Sequence, residues 1–183
     1  MTEMRNLLPN PRPYNMTGWQ SVNEQKLAVA RHDDDRLFLS VREDGADLFA
    51  FTRLTVPAGT YRFGAQISAP QGTYAKNALR FIQLNPTKEL LNATWEGKPG
   101  RYVTGANTLT QETQIELRVM CGPKVGDAVW YRHLFLMTEA DYQHMLTLGV
   151  DWFYGDGYDR NGGGRLVDAL VGYPPCEHWM VVA

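Results

Sequence analysis

Apolar residues fall on every second position along most of this chain. Leu27 and Val29 begin the pattern, and Leu37, Leu39 and Val41 continue it with Phe38 and Ser40 between them. Residues 47–56 form a run closed by Pro57-Ala58-Gly59. Tyr61, Phe63, Ala65 and Ile67 alternate with Arg62, Gly64 and Gln66, and Ala69-Pro70-Gln71-Gly72 ends that run. Residues 78–84 stop at Asn85-Pro86. Ile115, Leu117 and Val119 alternate with Gln114, Glu116 and Arg118, and Cys121-Gly122-Pro123 stops them; residues 129–137 are the last strong run. A period of two puts alternate side chains on opposite faces of a strand. Short runs of this kind, punctuated by Gly and Pro, predict an all-β domain over residues 1–137, an antiparallel β-sandwich or jelly roll.

One helix is expected after the last strand. Thr138 can cap the free backbone N–H groups, and Glu139 and Asp141 favour the positive end of the helix dipole. Tyr142, Met145, Leu146 and Leu148 are expected on one face, and Gly149 ends the helix. Residues 88–95 read equally as a helical turn or as a strand and turn. Beyond Gly149 periodicity is lost, and the composition turns to glycine, aromatics and aspartate. Residues 138–183 are therefore read as a short helix followed by an irregular C-terminal arm. Its aromatics Trp152, Phe153, Tyr154 and Trp179 are expected to bury themselves against the sandwich or a neighbouring subunit.

Composition narrows the function classes. The chain has 183 residues, enough for one core, and with 21% charged and 11% aromatic residues it is not a disordered sequence. Two cysteines cannot build a disulfide framework. A net charge of -2 gives no general pull toward nucleic acid or an anionic membrane, and no apolar stretch is long enough to span one. The start, Met1-Thr2-Glu3-Met4-Arg5, does not read as a secretory signal, so synthesis in a cytoplasm is expected.

Catalytic signatures are missing. His32, His133, His144 and His178 have no metal-ligand spacing, and Cys176 beside His178 is no evidence for a nucleophile pair. No serine elbow, phosphate-cradling loop or dinucleotide fingerprint is present. Neither an enzyme nor a cofactor is expected. Asp33-Asp34-Asp35 reads as a solvated turn or part of a calcium site. The group Asp156, Asp159, Asn161 and Gly162 departs from the Asp-x-Asp-x-Asp-Gly spacing. Trp19, Trp95 and Tyr102 lie at turns, where a flat ring can stack on a sugar or plug the core. Trp95, Arg101 and Tyr102 are the candidate carbohydrate-binding set, with Glu96 and Asn107 as polar neighbours.

Several motifs together resemble a known family. Asn6-Leu7-Leu8-Pro9-Asn10-Pro11 followed by Gly18-Trp19 is similar to the opening of jelly-roll carbohydrate-binding modules. Val56-Pro57-Ala58-Gly59-Thr60-Tyr61-Arg62-Phe63 resembles their proline-glycine turn and strand. Gly126-Asp127-Ala128-Val129-Trp130-Tyr131 and Leu134-Phe135-Leu136-Met137-Thr138-Glu139-Ala140 resemble their last strand. Trp152-Phe153-Tyr154-Gly155-Asp156-Gly157 resembles the segment that follows this strand in bacteriophage minor tail proteins. The resemblance covers about residues 5–158 in the right order. Arg12-Pro13-Tyr14 stands where enzyme-linked modules carry a Phe-Glu that holds a structural calcium, so that calcium is not expected.

The resemblance implies two functions. The first is a structural virion protein of a phage, on the tail or the particle surface. It would assemble with other virion proteins and with itself, a trimer being one natural homo-oligomer, and would touch host glycan. The alternative is a non-catalytic carbohydrate-binding module that recognises a cell-wall polysaccharide.

Overall fold

The computed structural model describes residues 4–8, 11, 18–31, 36–72, 74–149 and 165–166. Among these, thirteen strands and one helix follow in chain order. They are β1 (Met4–Arg5), β2 (Gln20–Ser21), β3 (Leu27–Arg31), β4 (Leu37–Val41), β5 (Phe49–Val56), β6 (Gly59–Gln71) and β7 (Asn77–Gln83). Then come β8 (Lys88–Thr94), β9 (Gly100–Val103), β10 (Asn107–Leu109), β11 (Thr113–Met120), β12 (Ala128–Thr138), α1 (Glu139–Thr147) and β13 (Arg165–Leu166).

All their pairings are antiparallel, and two sheets stack face to face. The first runs β10-β6-β12-β4-β3, with β9 pairing the same edge of β6 as β10 does; the second runs β2-β5-β11-β7-β8. The expected sandwich is thus observed. Its core is filled by the alternate residues that the sequence marks: Leu37, Leu39, Phe63, Ile67, Phe81, Ile115, Leu117 and Val119 are buried and share one cluster. Residues 88–95, open in sequence, give strand β8 and a buried Trp95.

The two layers are also joined by a polar bond. Tyr131 of β12 projects through the core, and its hydroxyl donates to the Met120 carbonyl of the opposite sheet at 2.5 Å. Burial raises this phenol well above its ordinary pKa, so it stays a donor.

The centre of the first sheet, β12, departs from simple alternation. Arg132 pairs with Gln66, but the next pairing is Phe135 with Gly64, so one extra residue enters β12. His133 there takes φ +55°. The bulge exchanges the faces of the strand. Before it, Val129 and Tyr131 point into the sandwich; after it, Leu134 and Leu136 do. Phe135 and Met137 are thereby turned outward, where they join Met4 of β1 and Met145 of α1 in a second, smaller cluster.

Asn6 closes the bulge. It is 0% exposed, and its amide donates to the Leu134 carbonyl at 3.0 Å. Its side-chain oxygen accepts from Leu136 N–H at 3.1 Å and from Leu8 N–H at 3.2 Å. The asparagine of the opening motif therefore serves the fold.

The helix lies over this second cluster. Thr138 caps it as expected, accepting from Asp141 N–H at 3.1 Å. Tyr142 stacks on Phe135 with centroids 6.0 Å apart, and Arg62 forms a bidentate pair with Glu139. The expected helix face is partly corrected. Met145 is buried, but Leu146 and Leu148 are 42% and 40% exposed. The face is fixed by Thr138, Tyr142 and Met145, and the next residue lies about 100° further round. Trp152, Phe153, Tyr154, Trp179, Asp33-Asp35 and Asp156-Asn161 lie outside the described residues. Of the arm, Arg165–Leu166 is described, paired with Arg5 and Met4.

Asn6→Ala leaves two β12 groups without their partner, so a loss of about 2 kcal/mol is expected, read from the urea midpoint. Glu139 sits below its ordinary pKa because Arg62 donates to it, against a smaller opposing effect of burial. Its contribution is thus present above the unfolded carboxylate pKa and lost as pH falls through the lower, folded value. Glu139→Gln is expected to flatten the acid side of the stability profile; an unchanged profile contradicts a role for this pair.

Candidate functional site

The two outer faces of the sandwich differ. On the first sheet, α1 and β1 cover Phe135 and Met137. Beside them Arg36 lies 3.8 Å above the Trp130 ring, Phe38 packs on Trp130 at 6.1 Å, and Arg132 donates to Gln66 at 2.6 Å. On the second sheet, no described helix lies over the outer face, which carries part-exposed side chains beside the buried Phe49, Ile82, Glu116 and Met120. That face is the candidate site.

Register builds it. Ala50, Leu54 and Val56 of β5 pack into the core, so Phe49, Phe51, Arg53 and Thr55 point outward. In β11 the outward positions are Gln114, Glu116, Arg118 and Met120. Pairing aligns Gln20, Phe51, Arg118, Arg80 and Asn92 in one row across all five strands. Four strand spacings make the row ~19 Å long, the span of about four linked sugar rings. The adjacent row is Arg53, Glu116, Ile82 and Glu89.

Glu116 is the hub of the charges. It is 2% exposed and accepts from Arg53 Nε at 2.7 Å and from Arg118 Nε at 2.6 Å. The Arg53 guanidinium lies 4.8 Å from the Phe51 centroid, and that of Arg118 4.3 Å from the Phe49 centroid. Arg80 pairs with Glu89 and reaches toward Asp47 at 3.6 Å. Burial pushes the Glu89 carboxyl up, but hydrogen bonds from Asn92 and Arg80, with the charges of Arg80 and Arg118, outweigh it and leave the group below its ordinary value. Glu89 is thus held as an anion, which suits it to positioning rather than proton transfer.

The carbohydrate set read from sequence is placed elsewhere, at one end of the sandwich. Trp95 is 1% exposed, with Tyr74 packed on it at 4.9 Å, so it has no free face for a sugar. Its indole N–H and the Tyr102 hydroxyl both donate to the Lys98 carbonyl, at 2.7 and 2.9 Å. Arg101 extends to the opposite surface, 5.5 Å from the Tyr142 ring and 5.7 Å from Phe135. Trp95 and Tyr102 are brought together, then, but Arg101 is separated from them by the sheet. The exposed ring of this end is Tyr74, 40% exposed. Trp19 is buried in the core, which is the plugging role.

Cys121 is buried, and burial pushes its thiol up to about 12, so it is no nucleophile at neutral pH. Among the described residues, no group of His, Cys, Asp or Glu is arranged to hold a metal ion, and no helix is long and apolar enough to cross a membrane.

Comparison with known proteins places the architecture. No family model matches the sequence, and no curated protein does. Solved structures do match, carbohydrate-binding modules among them. A carbohydrate-binding module of family 4 is 12% identical, covers 69% of this chain and 91% of its own, and superposes with a TM-score of 0.50. The CBM22-1 xylan-binding domain of Xyn10C from Paenibacillus barcinonensis is 10% identical, with 75% and 92% covered and a TM-score of 0.52. The CBM22-1-GH10 modules of Clostridium thermocellum xylanase Xyn10B, solved with xylohexaose, are 9% identical, with 76% of this chain and 29% of that one covered and a TM-score of 0.52. At such identities the likeness is one of fold.

Glu116→Ala removes the shared anchor and leaves Arg118, whose side chain is 19% exposed, opposite Arg80 with Glu89 as the remaining carboxylate beside them. A loss of about 2 kcal/mol is expected in urea unfolding. Arg53→Ala, with a side chain 55% exposed, is expected to cost under about 1 kcal/mol.

Proposed function

We propose that this protein is a non-catalytic glycan-binding module, and that a polysaccharide lies along the outer face of the five-stranded sheet. The observation that carries the proposal is the open row Gln20, Phe51, Arg118, Arg80 and Asn92. It combines an aromatic ring with fixed hydrogen-bonding groups, and its length suits an extended chain. The solved structures of like fold support the class, since one is a xylan-binding domain and another was solved with xylohexaose. Stacking supplies apolar contact with the flat side of a sugar, and the polar groups fix its orientation.

We carry a phage virion as the proposed setting. Its support is the sequence resemblance of Trp152-Phe153-Tyr154-Gly155-Asp156-Gly157 to minor tail proteins. In that setting the module supplies the contact with host glycan, and the arm joins it to other virion proteins or to further copies of itself. Electron microscopy of particles labelled for this protein tests the setting.

Affinity electrophoresis through xylan, mixed-linkage glucan, pectin and bacterial cell-wall polysaccharide tests the function. Retardation by at least one polymer is expected. Phe51→Ala should weaken it about tenfold, whereas Arg132→Ala on the other sheet should leave it in place. No retardation by any polymer, or equal loss in both variants, refutes the proposed face.

A further inference from the structure

On the open face the carboxylate oxygens are occupied, and the terminal donors of Arg53 and Arg118 are not. Glu116 is buried, and each of its oxygens already takes one arginine Nε proton. Glu89 is occupied likewise, by Arg80 on one oxygen and by Asn92 on the other at 2.8 Å. The Gln114 carbonyl accepts from Asn85 at 3.4 Å. Each guanidinium has five N–H donors. Arg53 and Arg118 each spend one of them, the Nε proton, on Glu116, and among the described residues neither makes another hydrogen bond. Their remaining donors lie beside the rings of Phe51 and Phe49.

The same arrangement has a cost. Arg118 stands directly opposite Arg80 across the β11–β7 ladder. Like charges in that relation destabilise a sheet. Glu116 and Glu89 offset the repulsion, and Glu116, by taking the Nε protons, leaves the terminal nitrogens of Arg53 and Arg118 unused. The three arginines 53, 80 and 118 are balanced by Asp47, Glu89 and Glu116, so the face exerts little long-range attraction on a polyanion. Recognition is therefore local, at the forks.

A sugar hydroxyl both donates and accepts, and a free carboxylate serves it as well as an arginine does. A carbonyl or carboxylate oxygen only accepts, and it needs donors. We infer that the bound polysaccharide carries acceptor-only oxygens, as uronate carboxylates or acetyl carbonyls, on the sugars that pass over Arg53 and Arg118. This rests on the glycan-binding reading above and specifies the decoration that the same face selects.

Matched polymers test it in the full chain. One pair is O-acetylated xylan and its alkali-deacetylated form; the other is polygalacturonate and its carboxyl-reduced form. Calorimetry is expected to show at least about tenfold tighter binding to the decorated member of one pair. Arg53→Met, outside the row proposed above, should erase most of that difference while leaving affinity for the undecorated member in place; Arg118→Met should weaken binding of the decorated member more than that of the undecorated one. Should Arg118→Met fail to fold, the exposed Arg53 carries the test. A preference that fades with added salt identifies the uronate, and one indifferent to salt identifies the acetyl group. Equal affinity within both pairs, or arginine variants that weaken both members alike, overturns this inference and leaves the glycan reading standing. Absence of binding to all four polymers by a protein that another polysaccharide retards also overturns this inference alone; absence of binding to every polysaccharide overturns the reading itself.

Discussion

Between Arg132 and Phe135, strand β12 takes in one residue more than its partner β6, with His133 at φ +55°. Through that single insertion the strand faces the sandwich core on both sides of the bulge, and it sends Phe135 and Met137 outward as well. The outward pair needs cover, and α1 and β1 supply it with Tyr142, Met145 and Met4. Phe135 can lie flat only because its partner is Gly64, where a Cβ would stand 2.2 Å from the ring. The backbone groups freed at the bulge need partners too, and Asn6 provides them. The N-terminal motif, the central strand and the helix are thus consequences of one backbone irregularity.

That irregularity also decides which sheet the helix covers. It draws the helix and the first strand onto the six-stranded sheet. The five-stranded sheet keeps regular pairing from β5 through β11 to Leu79–Gln83 of β7. Regular pairing aligns outward side chains in rows, and rows are what an extended polymer meets. The charge arrangement there breaks a local rule, with two arginines opposed, and restores it with two carboxylates. Departures from local stability rules that persist in a folded protein are expected at functional sites. The opposing face has its own arginines, but they lie over Trp130, Phe135 and Tyr142 and serve packing.

The fold was legible because most strands have one buried face. In β11, Ile115, Leu117 and Val119 alternate with Gln114, Glu116 and Arg118, so the order of residues alone states both faces. The bulge was not legible. Residues 129–137 are almost wholly apolar, so no alternation marks the exchange of faces, and neither glycine nor asparagine stands at its left-handed position. The site was legible only in pieces. In β5 the sequence Phe49-Ala50-Phe51 hides the alternation, and the row Phe51, Arg118, Arg80 depends on register between strands far apart in sequence. Turn aromatics were the natural candidates from sequence. Turns at the end of a sandwich also close its core, and that is the role Trp95 and Trp19 take. A polar alternation interrupted by long opposite charges was the available signal for the proposed face.

Binding and assembly need not compete for surface. The described part of the C-terminal arm, Arg165–Leu166, pairs with Met4–Arg5, and Met4 belongs to the cluster on the outside of the six-stranded sheet. The open row lies on the other sheet, with the core between them. A chain built this way leaves one side for the proposed polymer while the other carries its described terminal segments. The physical requirement is that the two sheets keep their spacing under load. The hydroxyl of Tyr131, held protonated by its burial and bonded to the backbone of β11, ties the central strand of one sheet to the central strand of the other.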